Sequence, residues 1–404
     1  MLNNQNIIFF ALPKFHGTYT STSASIAKEL AKSNRVLWVE NPFTWKDIFS
    51  NKVAFLALLH QLGLAIRADK DNKKQISKSN KGIYFITPLP VLPINFLPHG
   101  WLYNQLSKLN HRIVLYSIKK SIRKMGFEKY IYINSYNFYY PNLSDLLNPF
   151  YKVYHCVDGM MRSYSLKHGK YLENILLSKV DLVITTSPQL KREKSVYHSN
   201  TYCIPNAADF QHCSKATQET TLVPPNVKQY GKNLIGYVGN IERRIDFPLL
   251  KKVMTNNPNW DLLMIGPTMS NYIPRWIYDV PNIHFVGKIP YAQLPNYLKA
   301  LKVTLIPYKI DAISKTIFPL KLYEYLGAGK PVVATNFNTE ILNPISDLVY
   351  VTDNSSAFER AINHALENDS KAIQTRRLAL AEQNTWQERG KEFLSLLEKN
   401  VQLK

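Results

Sequence analysis

Cysteine is scarce in this chain. Its 404 residues hold only three, Cys156, Cys203 and Cys213, with no Cys-x-x-Cys pair and an odd total. That usage fits a reducing compartment and argues against a disulfide framework or a zinc site. No apolar run approaches the roughly 18 residues a membrane-spanning helix needs. There is no Gly-x-Gly-x-x-Gly, no phosphate-binding Walker loop and no internal repeat of the 20–50-residue kind. Asp69-Lys70-Asp71 has the form of an Asp-x-Asp metal motif. It sits in the charged stretch RADKDNKK rather than at the end of an apolar strand, so it reads as solvated and no metal site is expected. The opening MLNNQNIIFFALPKF lacks a basic leader and reads as a first strand, not a signal peptide, which suits a cytoplasmic protein.

Acidic residues are also in deficit. Asp and Glu number 29 against 50 Lys and Arg, a net charge of +21. Residues 1–200 carry +16 of this and residues 201–404 the remaining +5. A basic half beside a near-neutral half suggests an anionic surface partner, membrane or nucleic acid.

What is present is alternation. Short apolar runs recur between helical stretches: IIFFALP, RVLWVENP, GIYFITPL, KYIYINS, KVYHCVDG, DLVITTS and TYCIPNAAD in the first half. Residues 47–67 read as helical. NLIGYVGN, WDLLMIGP, IHFVGK, VTLIPY, KPVVAT and LVYVT follow in the second half. Strands without a polar face, separated by helices, imply parallel sheets covered on both sides. The polar stretch 211–232, with Pro224-Pro225, interrupts the series and reads as a linker. The expectation is an α/β protein of two Rossmann-like domains, 1–210 and 233–384, with a ligand in the crevice at the carboxyl ends of their strands.

The segment FPLKLYEYLGAGKPVVATNF (318–337) poses a specific question. It reads as a helix opening at Pro319, closed by Gly327 and Gly329, then a strand. A helix start prefers an anion, yet Lys321 sits in its first turn. A bound phosphate would resolve the conflict. Phe318, Pro319 and Leu320 would bring backbone to it, Lys321 would supply the counter-charge, and Glu324, one turn on, could accept two sugar hydroxyls. That is the geometry of a nucleoside diphosphate. A solvated Lys–Glu pair on a surface helix explains the same spacing equally well.

The run EYLGAGKPVVAT resembles the donor-binding element of retaining GT-B glycosyltransferases of the large group known as family 4, in the subgroup with P-L-K-x-x-E-Y that resembles surface-polysaccharide and teichuronic-acid transferases. Thr316 stands where the family commonly has a first Glu. IGYVGNIERRIDFPLL (235–250) is similar to the strand, loop and helix that open the donor domain, with Gly239 and Asn240 at the turn and Arg243 or Arg244 meeting the diphosphate. FVGKIPYAQL is similar to the segment whose backbone meets the base, here Gly287, Lys288 and Ile289. TWQERGKEFLSLLEKN resembles a terminal helix, 385–404, that crosses back to the first domain.

The resemblance implies a nucleotide-sugar donor (UDP- or GDP-sugar), no cofactor, metal-independent retaining transfer, and a leaving diphosphate held by backbone N–H groups, Arg243 or Arg244, and Lys321. It also implies an acceptor-binding first domain, with Asp158 preferred and His155 second as the polar group at the reacting centre; His155 reads equally as a satisfied interior histidine. His16 and Gly17, in the loop after the first strand, would lie under the phosphates or acceptor, or belong to a plain loop, which fits equally well. The acceptor would be a glycan or lipid-linked sugar of a bacterial-type surface polysaccharide. The helical stretch 111–127 sets Val114, Ile118, Ile122 and Met125 on one stripe and Arg112, Lys119, Lys120, Arg123 and Lys124 opposite. This basic face could dock on anionic lipid at the inner face of the plasma membrane, or simply be solvated. Two other functions compete: a nucleotide-sugar epimerase of the same fold, which needs no acceptor, and a nucleic-acid-binding protein, for which no aromatic-interleaved basic groove is seen.

Overall fold

The computed structural model describes residues 2–16, 21–50, 67–68, 82–160 and 163–402. The chain divides into two compact units, Met1–Ile204 with Gly390–Lys404, and Pro205–Arg389.

The first unit is built on an eight-stranded sheet. Its strands are β1 (Asn6–Ala11), β2 (Arg35–Val39), β3 (Arg67–Ala68), β4 (Ile83–Ile86), β5 (Tyr130–Ser135), β6 (Tyr151–Cys156), β7 (Leu182–Thr185) and β8 (Thr201–Cys203). They lie in the order β3-β4-β2-β1-β5-β6-β7-β8. Only the short β3 runs antiparallel, against β4. β1, β2, β5, β6 and β7 are almost wholly buried, which is why they read as continuous apolar runs. Helices start where a side chain can satisfy a free N–H. The Ser21 hydroxyl accepts from Ala24 N before helix Thr22–Leu30, and Ser187 does so for helix Pro188–Ser195. The long helix Trp101–Met125 stops at Gly126, whose φ of 64° is left-handed. The expected helix at 47–67 is described only as Trp45–Ser50; the rest lies outside the described residues.

The second unit carries a six-stranded sheet that is parallel throughout. Its strands are β9 (Asn233–Val238), β10 (Trp260–Ile265), β11 (Ile283–Gly287), β12 (Val303–Ile306), β13 (Val332–Thr335) and β14 (Val349–Thr352), in the order β11-β10-β9-β12-β13-β14. The chain winds outward from β9 to β11, then returns to the other side of β9 as β12. The order reverses between β9 and β12, where Val303 pairs with Ile235 and Thr304 with Gly236. In open parallel sheets such a reversal leaves a crevice at the strands' carboxyl ends.

Residues 211–232, read as a linker, lie inside this unit and run through short elements: helix Phe210–Cys213 and 3-10 turns at Ser214–Thr217 and Pro225–Val227. The reason is local anchoring. Cys213, Ala216 and Val227 are buried. Asp209 caps the first turn through His212 N. Lys299 and Asn296 donate to the carbonyls of Gln218 and Leu222.

Residues 390–404 group with the first unit. Glu29 lies against Gly390, Phe393 packs on His155, and Asn200 donates to Asn400 at 3.0 Å.

Candidate functional site

The reversal between β9 and β12 gathers three side chains. β9 contributes Tyr237, the chain just after β12 contributes Tyr308, and helix Leu320–Gly327 contributes Lys321. The Lys321 ammonium donates to the Tyr308 hydroxyl at 2.6 Å. It also stands 4.8 Å from the centre of the Tyr237 ring and 5.0 Å from that of Tyr308. Cation–π attraction of this kind offsets the cost of placing a cation in a helix's first turn. The helix starts one residue later than expected, with Pro319 as its cap. It is tied to β9 by Tyr325, whose hydroxyl accepts from Val238 N at 2.7 Å.

The turn after β9 runs directly beneath the ammonium. Gly239 has φ of 135°, a conformation side chains rarely adopt. A Cβ there would also come within 3.1 Å of the Lys321 Nζ. Tyr237 donates to the carbonyl of Asn240 at 2.8 Å, and Asn240 itself is exposed. Beyond the turn, Arg244 pairs with Glu242 at 3.0 Å, and its carbonyl accepts from Lys309 N at 2.8 Å. Ile245 bridges to Tyr308, so the basic loop and Tyr308 are joined through backbone. Burial alone would push the Tyr308 phenol up. The Lys321 and Arg244 cations, with the hydrogen bond from Lys321, outweigh it and leave the phenol below its ordinary value. Tyr237, buried beside Tyr308, moves up. Arg243 is half-buried on the same loop.

Glu324 follows Lys321 by one turn. It keeps some exposed surface, but the protein around it removes enough hydration to push its carboxyl up to about 7, with Lys321 opposing and Asp209 adding to the rise. Its carboxyl makes no hydrogen bond among the described residues. It is close enough to Tyr291 and Cys213 to push both phenol and thiol further up than burial does. Tyr291 stacks on His212, with ring centres 4.5 Å apart. The loop carrying Tyr291 begins at Gly287, left-handed at φ 79°, continues through exposed Lys288, and buries Ile289. The structure thus brings Gly287–Ile289, Glu324, Lys321 and the Gly239 turn into one unit around the β9–β12 reversal. Phe318 is buried and its carbonyl accepts from Asn206 at 2.6 Å. Thr316 is buried and donates to the carbonyl of Ile313 at 2.8 Å. Tyr237, Tyr308, Tyr291 and Asn206 were not singled out from sequence; each reads there as an ordinary strand-end or loop residue.

The first unit treats its two candidates differently. His155 is 1% exposed. Its ring packs edge-on against Phe9 and Phe393, and its Nδ1 lies 3.1 Å from the Ser135 hydroxyl, which in turn meets Ser23 at 2.7 Å. Burial pushes its pKa down to about 3. Of the two readings of His155, this geometry favours the satisfied interior histidine, on a strand buried along almost all its length. Asp158, two residues past the end of β6, stays half-buried and accepts from Gly159 N at 2.9 Å. Glu173 and Asp181 are structural. Glu173 accepts from Tyr154 at 2.6 Å and from Lys194 at 2.7 Å, and Asp181 accepts from Lys152 N at 2.8 Å. Gly17 and the Asp69–Asp71 motif lie outside the described residues, while His16 is exposed and touches Phe15 and Phe85. Among the described residues no group of three or more His, Cys, Asp or Glu could hold a metal ion, and no helix is long and apolar enough to cross a membrane.

These two parallel-sheet units reproduce a known architecture. The sucrose-phosphate synthase from Thermosynechococcus elongatus aligns over 99% of this chain and 100% of its own, with TM-score 0.67 at 15% identity. An E. coli trehalose-6-phosphate structure bound with UDP-2-fluoro glucose aligns over 98% of this chain and 99% of its own, with TM-score 0.67 at 10% identity. The fold is GT-B, an α/β class of two Rossmann-like domains. More specifically, residues 218–385, which lie within the second unit, match the family model described as "Glycosyl transferases group 1". TuaH of Bacillus subtilis (strain 168), named as a teichuronic acid biosynthesis glycosyltransferase, is 25% identical over 215 residues, 49% of this chain and 53% of the relative. The match spans about half the length of that curated relative. All of this fits a GT-B glycosyltransferase.

Proposed function

We propose that the protein transfers a sugar from a nucleoside diphosphate sugar to a glycan or lipid-linked acceptor in the making of a surface polysaccharide. The observation that carries this reading is the placement of the Lys321 ammonium over the Gly239 turn, with Glu324 one helical turn further in. A diphosphate would meet the ammonium, Arg244 or Arg243, and the N–H groups of the helix start at Phe318–Leu320. A ribose would give its hydroxyls to Glu324, and the base would lie along Gly287–Ile289. As the bond between the sugar and the diphosphate breaks, negative charge grows on the leaving oxygens. Fixed cations and N–H groups aimed there stabilise the transition state. Because these cations already serve the phosphates, the reaction runs without a metal ion. It proceeds with retention, as the resemblance to family 4 implies. Asp158 is the polar group on the acceptor side. The donor is a UDP-sugar, a choice supported by the UDP-2-fluoro glucose in the E. coli neighbour, with GDP-sugars as the competing class.

Peripheral contact with an anionic membrane belongs to the same reading. Helix Trp101–Met125 has six basic residues and no acidic one. Its outer face exposes Lys108, Arg112, Lys119, Arg123 and Lys124 beside Trp101, Leu102, Leu109 and Tyr116. Apolar groups flanked by cations suit a headgroup boundary. A thermal-shift screen of nucleoside diphosphates and their sugars tests the donor site, since a ligand at 100 times its dissociation constant stabilises by about 2.7 kcal/mol. Release of nucleotide only when acceptor is present separates transfer from epimerisation. No stabilisation by any of these ligands, with salt-sensitive RNA binding instead, overturns the reading.

A further inference from the structure

Lys321 is held unusually firmly for a surface-facing lysine. A lysine side chain ordinarily samples many rotamers, and ordering one on binding an anion costs affinity. Here a buried hydroxyl and two buried rings fix it before any anion arrives. Tyr237 and Tyr308 are 1% and 3% exposed. Neither is free to move. Tyr237 donates to Asn240 O, and Tyr308 packs on Phe337 with ring centres 5.1 Å apart while its carbonyl accepts from the Thr335 hydroxyl. The ammonium is not withdrawn from the site. It already lies within 3.1 Å of the place a Gly239 side chain would occupy.

We infer that Tyr308 is a positioning residue: its hydroxyl, accepting from Lys321, sets the ammonium over the Gly239 turn so that the donor's diphosphate meets a preformed cation. This rests on the nucleotide-sugar reading and goes beyond it by assigning a residue that touches no substrate. An ammonium has three N–H donors. One goes to Tyr308, and the others remain for phosphate oxygens. The lowered phenol of Tyr308 agrees with this, because a cation held beside the oxygen favours its ionised form.

The test is calorimetric titration of UDP and GDP, each beside its nucleoside, into wild type, Tyr308→Phe, Tyr308→His and Lys321→Gln. Tyr308→Phe keeps the ring and removes the acceptor. It should weaken the bound diphosphate roughly tenfold, as expected for one hydrogen bond to a charged group, and leave the nucleoside unchanged. Adding it to Lys321→Gln should cost nothing further. Tyr308→His, which retains a ring and an acceptor nitrogen, should keep a larger share of the diphosphate preference. Equal losses for diphosphate and nucleoside, unchanged diphosphate affinity, or full additivity with Lys321→Gln would each overturn the inference. If Tyr308→Phe fails to melt cooperatively, loss of the diphosphate preference in a folded Tyr308→His would overturn it instead. A wild type that binds neither nucleotide removes the donor-site reading itself, and the two failures are thereby told apart.

Discussion

The imidazole of His155 lies edge-on to the ring of Phe393, with centroids 5.6 Å apart. The contact makes His155 part of the core of the first unit, and its consequence is a pH dependence of stability. Burial lowers the folded-state pKa to about 3, against 6.5 for the ordinary histidine. The unfolded chain therefore takes up a proton first as pH falls. The contribution of neutral His155 is complete above pH 6.5 and is lost progressively from there towards 3. Over that window one extra proton in the unfolded state gives a slope of about 1.4 kcal/mol per pH unit. His155→Gln should flatten the acid side of a plot of melting temperature against pH while sparing nucleotide binding. A plot with the wild-type slope would show that His155 titrates normally.

Glu324 has the opposite sign. Its carboxyl is raised to about 7 in the fold. Its neutral form contributes stability that is fully present below pH 4.5 and lost as pH rises through 7. In the proposed site a ribose hydroxyl donates to the ionised form, so nucleotide affinity should rise with pH through the same range. Glu324→Ala should cut affinity roughly tenfold to a hundredfold, the equivalent of 1.5–3 kcal/mol for charged hydrogen bonds. Glu324→Gln should remove the pH dependence. Wild-type affinity in the Ala variant would exclude Glu324 from the site.

Legibility in the sequence follows from what each feature depends on. The strands are legible because strands buried on both faces are apolar throughout; β5 and β9 appear within one or two residues of their expected bounds. Their order is not, because pairing of β9 with β12 joins segments about 70 residues apart and leaves no local pattern. The misplaced charge of Lys321 is visible in sequence, since a lysine in a first turn conflicts with the helix dipole. The tyrosines that resolve the conflict are not, because Tyr237 arrives from β9 and Tyr308 from the chain just after β12, about 70 residues apart. His155 carried two readings because a histidine near a strand end looks identical whether the strand is covered on one face or both. The stretch 211–232 misled because its composition is polar while Cys213, Ala216 and Val227, its few apolar residues, do the anchoring.

Metal independence is testable directly. On the proposed reading, in which Lys321 and Arg243 or Arg244 serve the leaving diphosphate, transferase activity should be unchanged by a chelator in excess. Activity lost to the chelator and restored by magnesium or manganese would mean that the cation partner of the phosphates is a metal ion rather than these side chains.

The last prediction concerns the outer face of helix Trp101–Met125. Val114, Ile118 and Ile122 are buried, which fixes the helix in the core of the first unit. Arg112, Lys119, Arg123 and Lys124 are exposed and Lys120 is half-exposed. Near an anionic bilayer each cation contributes about 1 kcal/mol, an attraction that salt screens. Exposed Trp101, 75% accessible, and Leu102 would add apolar contact that salt leaves intact. Replacing Lys119, Lys120, Arg123 and Lys124 by Gln should therefore weaken sedimentation with anionic liposomes at low salt and leave nucleotide affinity untouched. Trp101→Ala should weaken the residual binding that survives high salt. Unaltered sedimentation in both variants would make this an ordinary solvated helix, and the charge excess of the first half would require a different partner.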